Sequence, residues 1–220
     1  FNASGGLKAE PGVNTFALYG QNVSHPITTA WTGTANASMS TLLQDGNVVA
    51  TNLSLDPDFS GNASWQTTYR VTNNFSGGEL TITGSQYGFS YETPRNIAYS
   101  KGQGFHLHVV VESMVGGPNM AFIRIVLNDN TLTQSAPVAL HVGVNDINFV
   151  LPYDAKQLSV AFTVSGVGSQ LTLCRYLLVS AADWSAMQAL GVDWFSGDTM
   201  TPEIAPLVDS YANVSIRGAF

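Results

Sequence analysis

Two stretches of strict apolar alternation constrain this chain more than anything else in it. In the first, Phe105, Leu107, Val109 and Val111 fall on one side of an extended segment, with His106, His108, Val110 and Glu112 on the other. In the second, Leu158, Val160, Phe162 and Val164 face away from Gln157, Ser159, Ala161 and Thr163. Side chains of a strand alternate with period two, so each stretch buries one face and leaves the other semi-polar. Two packed antiparallel sheets produce that pattern. Further strands are expected at 47–53, 66–72, 79–83, 86–91, 119–128, 137–142, 146–151 and 170–179, separated by turn signals such as Gly77-Gly78, Gly116-Gly117-Pro118 and Gly166-Val167-Gly168. The expected fold class is all-β: an antiparallel two-sheet jelly-roll sandwich over residues 45–180. Its core should hold Phe105, Leu107, Val109, Ile123, Ile125, Val160 and Phe162.

Outside that module the pattern changes. Residues 1–44 are rich in Gly, Thr and Asn and read as an N-terminal arm, with a short strand at 15–19. Residues 181–220 read as one short helix near 181–190 and a C-terminal arm. Ser180-Ala181-Ala182-Asp183 has the form of a capping box, Trp184, Met187 and Leu190 share a face, and Gly191 suits a left-handed C-terminal cap. The arms hold Trp31, Trp194, Phe195 and Phe220 but too few apolar residues for a core of their own. Exposed apolar arms mark interfaces, so a homo-oligomer or docking onto a neighbouring subunit is expected. A chain opening on Phe1 reads as a fragment or processed product, and no secretory leader pattern is visible.

Charge narrows the function. The net charge is −7 and the eight basic residues are scattered singly, which argues against nucleic acid. No apolar run is long enough for a membrane helix. The single Cys174 cannot form an internal disulfide and reads as a small apolar filler. Seven Asn-x-Ser sequons would suit a glycosylated surface protein, but they fit chance in an Asn- and Ser-rich chain better.

No catalytic constellation is present: there is no nucleophile elbow, phosphate loop or zinc-finger spacing. Asp56-Pro57-Asp58 and Asp193…Asp198 read as turn chemistry and not as a glycosidase carboxylate pair. His106-x-His108 is the best metal pair, yet no third ligand can be named. Sugar binding needs exposed rings beside hydrogen-bonding groups. Tyr69, Tyr87, Tyr91, Tyr99 and Trp65 are available, with Gln86, Arg95, Asn96 and Arg124; Trp65 is expected in the core. The semi-polar face carrying His106, His108, Glu112 and Arg124 is the expected ligand-binding site. It should line an open sheet and contact a neutral or acidic bacterial surface glycan.

Three short signatures frame the module: Ala30-Trp31-Thr32-Gly33-Thr34-Ala35-Asn36-Ala37-Ser38, Asn52-Leu53-Ser54-Leu55-Asp56-Pro57-Asp58-Phe59 followed by Trp65, and Trp194-Phe195-Ser196-Gly197-Asp198-Thr199. Their order resembles minor tail proteins and tail fibre proteins of tailed bacteriophages infecting actinobacteria. Those proteins repeat a carbohydrate-binding-like jelly roll opening N-L-x-x-N-P-S-F-E, closed by F-D-G-D-T and linked by A-W-T-G-T-x-N-A-S. Here Asp56 replaces Asn, Asp58 replaces Ser and Ser196 replaces Asp. The resemblance implies a virion tail protein, an adsorption or structural role without catalysis, other tail proteins as partners, a trimer by analogy with phage fibres, and a virion location. It also implies a structural calcium at Asp56 or Asp58, where the first and last strands meet, but Ser60 stands in place of the usual glutamate and Arg175-Tyr176 in place of an acidic pair. No other cofactor is expected. The alternative function is a non-catalytic carbohydrate-binding module from a secreted glycan-active enzyme.

Overall fold

The computed structural model describes residues 27–60, 64–92 and 95–201. Three short strands come first: β1 (Ile27–Trp31), β2 (Ser40–Gln44) and β3 (Asn47–Asn52) form a small antiparallel sheet. The main sheet follows with β4 (Trp65–Ser76), β5 (Glu79–Glu92), β6 (Arg95–Tyr99), β7 (Gly104–Val115) and β8 (Met120–Leu127). It continues with β9 (Leu132–Gln134), β10 (Val138–Ala139), β11 (Gly143–Val150), β12 (Ala155–Val164) and β13 (Gln170–Ser180). Helix α1 (Ala181–Ala189) and the hairpin of β14 (Trp194–Phe195) with β15 (Met200–Thr201) close the described chain. The short strand expected at 15–19 lies outside the described residues.

The main sheet curls into a sandwich through one long strand. The first half of β5 pairs with β13, Leu80 opposite Leu173, whereas its second half pairs with β12, Tyr91 opposite Ala161. Thus β4, β5, β13, β7 and β11 form one wall, and β4, β5, β12, β8, β9 and β10 the other, with β6 continuing the line of β5 along β12. The change of partner needs glycine. A Cβ on Gly84 would lie 2.4 Å from the Gly166 carbonyl, and one on Gly88 would lie 2.0 Å from that of Tyr69. Bulges in β4 around Tyr69 absorb the bend, with Arg70 at φ 58°.

The core sits between the walls as the alternation predicts: Phe105, Leu107, Val109, Ile123, Ile125, Val160 and Phe162 are all buried. Around them Phe59, Trp65, Phe162 and Tyr176 pack ring on ring at centroid distances of 5.4–6.2 Å.

The outer faces of the two walls differ. On the first, Leu177 and Val179 of β13 point outward and are covered by Leu42, Ala50, Met187, Val192, Trp194, Phe195 and Met200. Residues 27–52 and 181–201 therefore build a second apolar layer on this wall. Helix α1 begins as its sequence predicts: the Asp183 backbone N–H donates to the Ser180 hydroxyl at 3.0 Å. The reciprocal half of the box is absent, because the Asp183 carboxylate accepts from the Thr51 backbone N–H and ties the helix to β3. Gly191, at φ 70°, ends the helix, and the Val192 N–H donates to the Met187 carbonyl.

Candidate functional site

The signature residues are structural. Asn52 is wholly buried; its Oδ1 accepts from the Ser54 N–H and hydroxyl and from the Leu178 N–H, while its Nδ2 donates to the Phe195 carbonyl. One side chain thus joins β3, β13 and β14, and its sequon is closed to glycosylation in the folded chain. Asp56 Oδ1 accepts from the Ser60 N–H and hydroxyl at 2.8 and 2.7 Å, and Glu92 Oε1 accepts from the N–H groups of Leu55 and Asp56. The first and last signatures meet, since a Cβ on Gly197 would lie 2.2 Å from the Trp31 ring. Among the described residues no three His, Cys, Asp or Glu side chains converge as a metal site. The carboxylates expected to hold calcium differ in role: Asp56 closes its loop on Ser60, and burial pushes its carboxyl up to about 6 and raises that of Asp58 as well.

The expected ligand face of His106, His108, Glu112 and Arg124 is not one face. His106 and His108 lie on the covered wall, only 3% and 6% exposed. Trp184 of α1 stacks on His106 with centroids 3.7 Å apart and an interplanar angle of 10°. Asp146 Oδ1 stands between the two imidazoles, 3.1 Å from His106 Nε2 and 2.8 Å from His108 Nδ1, and His106 Nδ1 faces Asn148 Oδ1 at 2.9 Å. Burial raises the Asp146 carboxyl, but the bonds from His108 and His106 outweigh it and hold the group below its ordinary value. The pair therefore lies beneath the helix and anchors it, and does not line an open sheet face. Alternation identified which strand face the histidines occupy but carried no signal that a helix 70-odd residues later would cover it. Glu112 is exposed further along β7. Arg124 stands on the other wall.

On that other wall Tyr69 is exposed, Phe89, Tyr91 and Arg124 are half-buried, and Phe122 is buried. Tyr69 of β4, Phe89 and Tyr91 of β5, and Phe122 and Arg124 of β8 share its outer face. The ring centroids of Tyr69 and Phe89, and of Phe89 and Tyr91, are each 6.3 Å apart, and Phe122 meets Phe89 edge-on at 5.9 Å. Between them β12 contributes Ser159, Ala161 and Thr163. These small side chains leave room for Arg124 to reach across the strand. Its guanidinium lies 3.7 Å from the Tyr91 centroid and 5.8 Å from that of Phe89. Arg70 stands 4.6 Å over Tyr69 and donates to Gln86 Oε1. Tyr69 is 46% exposed and Tyr87, beside the bend, 52%.

Of the aromatic residues singled out in the sequence, Trp65 and Tyr99 are core, while Tyr69, Tyr87 and Tyr91 are on or beside this wall. Phe89 and Phe122 went unrecognised. Period two across 86–91 and 119–128 would have placed each beside its neighbours, had the alternation been extended to those strands.

Fold and face define an all-β jelly-roll sandwich with one wall buried under its flanking segments and the other carrying an aromatic surface that no described flanking segment covers. No family model and no curated protein matches the sequence. Among solved structures, a mutant of a carbohydrate binding module of family 29 aligns at 16% identity and TM-score 0.41, covering 58% of this chain and 90% of the module. A family 29 module complexed with cellulohexaose aligns at 18% and 0.41, covering 58% and 89%. The enzymatically active domain of tailspike protein 4 of bacteriophage CBA120 aligns at 12% and 0.40, covering 56% of this chain and 20% of that one.

Proposed function

We propose that this chain is a non-catalytic glycan-binding module that contributes to host-surface recognition as part of a bacteriophage tail or fibre. The observation that carries the reading is the Tyr69–Phe89–Tyr91 strip with Arg124 across it, on the wall that no described flanking segment covers. Sugar C–H faces stack on rings, and hydroxyls need fixed donors beside them. The strip supplies both. The virion setting rests on the three signatures quoted from the sequence, as does the expectation of neighbouring tail proteins as partners. The homo-oligomer is expected from exposed apolar arms, and of their residues Trp194 and Phe195 are buried against β13. A module excised from a secreted glycan-active enzyme would use the same strip; a catalytic domain in the full gene product distinguishes the two.

Weak single-site affinity, on the order of millimolar to micromolar, suits a multivalent particle, where copy number raises avidity. The test is retention of host cell-envelope polysaccharide by the immobilised chain, compared with Tyr69→Ala and Tyr91→Ala together. Loss of retention in a variant that melts like the parent supports the reading. Equal retention removes the strip as the site.

A further inference from the structure

The open wall differs in charge from the rest of the protein. The chain carries −7 overall, yet two of its eight basic residues stand on the aromatic strip, one at each end. Among the described residues no carboxylate pairs with either. The cross-strand neighbours of Arg124 are Ser159 and Gln134. Arg124 makes no hydrogen bond to a described residue; what fixes its guanidinium is the Tyr91 ring. A guanidinium held by stacking keeps its planar N–H fork available.

The chemistry of that fork selects a partner. Arginine offers donors and no acceptor. A sugar hydroxyl, donor and acceptor at once, uses it incompletely, whereas a carboxylate is acceptor-only and matches it with two parallel bonds. A phosphodiester polymer also accepts, but it carries a charge on every unit and would meet a protein of net charge −7. An isolated carboxylate needs only the local cation.

We infer that the strip selects a glycan bearing a uronic-acid-type carboxylate, with sugar rings against Tyr69 and Phe89 and the carboxylate on the Arg124 fork. This deepens the glycan-binding reading and rests on it.

The experiment titrates the full chain with three probes: an oligosaccharide of alternating glucose and glucuronate, its carboxyl-reduced all-glucose counterpart, and poly(glycerol phosphate). The acidic oligosaccharide should bind at least about tenfold more tightly than the reduced one, the range a charge-assisted hydrogen bond provides. Added salt should narrow the gap. In Arg124→Gln the preference should fall to about twofold or less, with Arg124→Lys between, because a point charge replaces the fork. Equal binding of the acidic and reduced probes overturns the inference while leaving the glycan-binding reading intact. Tighter binding of the phosphate polymer overturns it in favour of a phosphorylated ligand. If none of the three binds, the inference also fails, and the glycan reading is then judged by the envelope-polysaccharide assay alone. The acidic-versus-reduced comparison on the native chain needs no variant, so a folding defect in Arg124→Gln cannot mask the answer.

Discussion

Replacing Asp56 by Asn should make the protein more stable at neutral pH and change the pH dependence of its stability. Asp56 is wholly buried; one carboxylate oxygen accepts two bonds from Ser60, and the other has no partner among the described residues. Burial is the largest influence and pushes the carboxyl from 3.8 to about 6; the Ser60 bonds pull it down, and Asp58 and Glu92 push it further up. The folded state therefore binds this proton more tightly than the unfolded state. Its contribution to stability is fully present below 3.8 and is lost as pH rises through about 6. At 1.36 kcal/mol per unit, ionisation in place at pH 7 costs about 3 kcal/mol relative to the protonated form. Asparagine is isosteric with the protonated acid and keeps the oxygen that Ser60 uses. The two proteins should thus be nearly equal at about pH 4, with D56N ahead by about 2–3 kcal/mol at pH 7. Urea unfolding of both proteins from pH 4 to 7.5 measures the difference, since every other titrating group is common to both. Parallel curves, differing by less than about 1 kcal/mol in their pH dependence, would refute the claim that burial raises the Asp56 carboxyl.

Phe162→Ala should lose about 3–5 kcal/mol in thermal or urea unfolding, because it removes a fully buried ring packed on Trp65 and Tyr176. Gly197→Ala should lose about 1–3 kcal/mol and shift Trp31 fluorescence, since the added methyl must displace that indole; unchanged emission would show that the two signatures do not dock. Asp146→Ala should loosen α1, seen as faster amide exchange over 181–189, because His106 and His108 lose their shared acceptor. The Asp146 carboxyl is held below its ordinary value, so the difference between variant and parent should persist at neutral pH and vanish only as pH falls below the usual carboxylate range.

How legible each part was depended on the range of the interactions that made it. The core was readable because period-two alternation in 105–111 and 158–164 is a local signal, and every residue it assigned inward is buried. The Ser180 cap and Gly191 stop were local as well. The bend of β5 was not: residues 79–83 and 86–91 read as two strands, whereas Gly84 and Gly88 let one strand run through both walls. The Trp184, Met187 and Leu190 face of α1 was expected to pack on the module or a neighbour, and it packs on the module. The rest of the layer formed by 27–52 and 181–201 was not legible, because its strands are short and its apolar residues meet β13 more than a hundred residues from β1. That layer is also what separates the histidines, which it covers, from Arg124. Sequence assigned the strand faces correctly for both, and only the long-range docking of Trp184 decided which face stayed open.

The contact between Trp31 and Gly197 has a mechanical consequence. The described chain meets itself at these two points, so a load arriving along either flank passes from β1 to the β14–β15 hairpin without crossing the sandwich. Tension would first work on an indole seated over a glycine and on the Asn52 bond to Phe195, both in the covering layer. The aromatic wall lies on the far side of the core from that line of force. A module arranged this way keeps its aromatic wall in shape while the described chain is pulled at Ile27 and Thr201, and it yields by shedding the outer layer before the core.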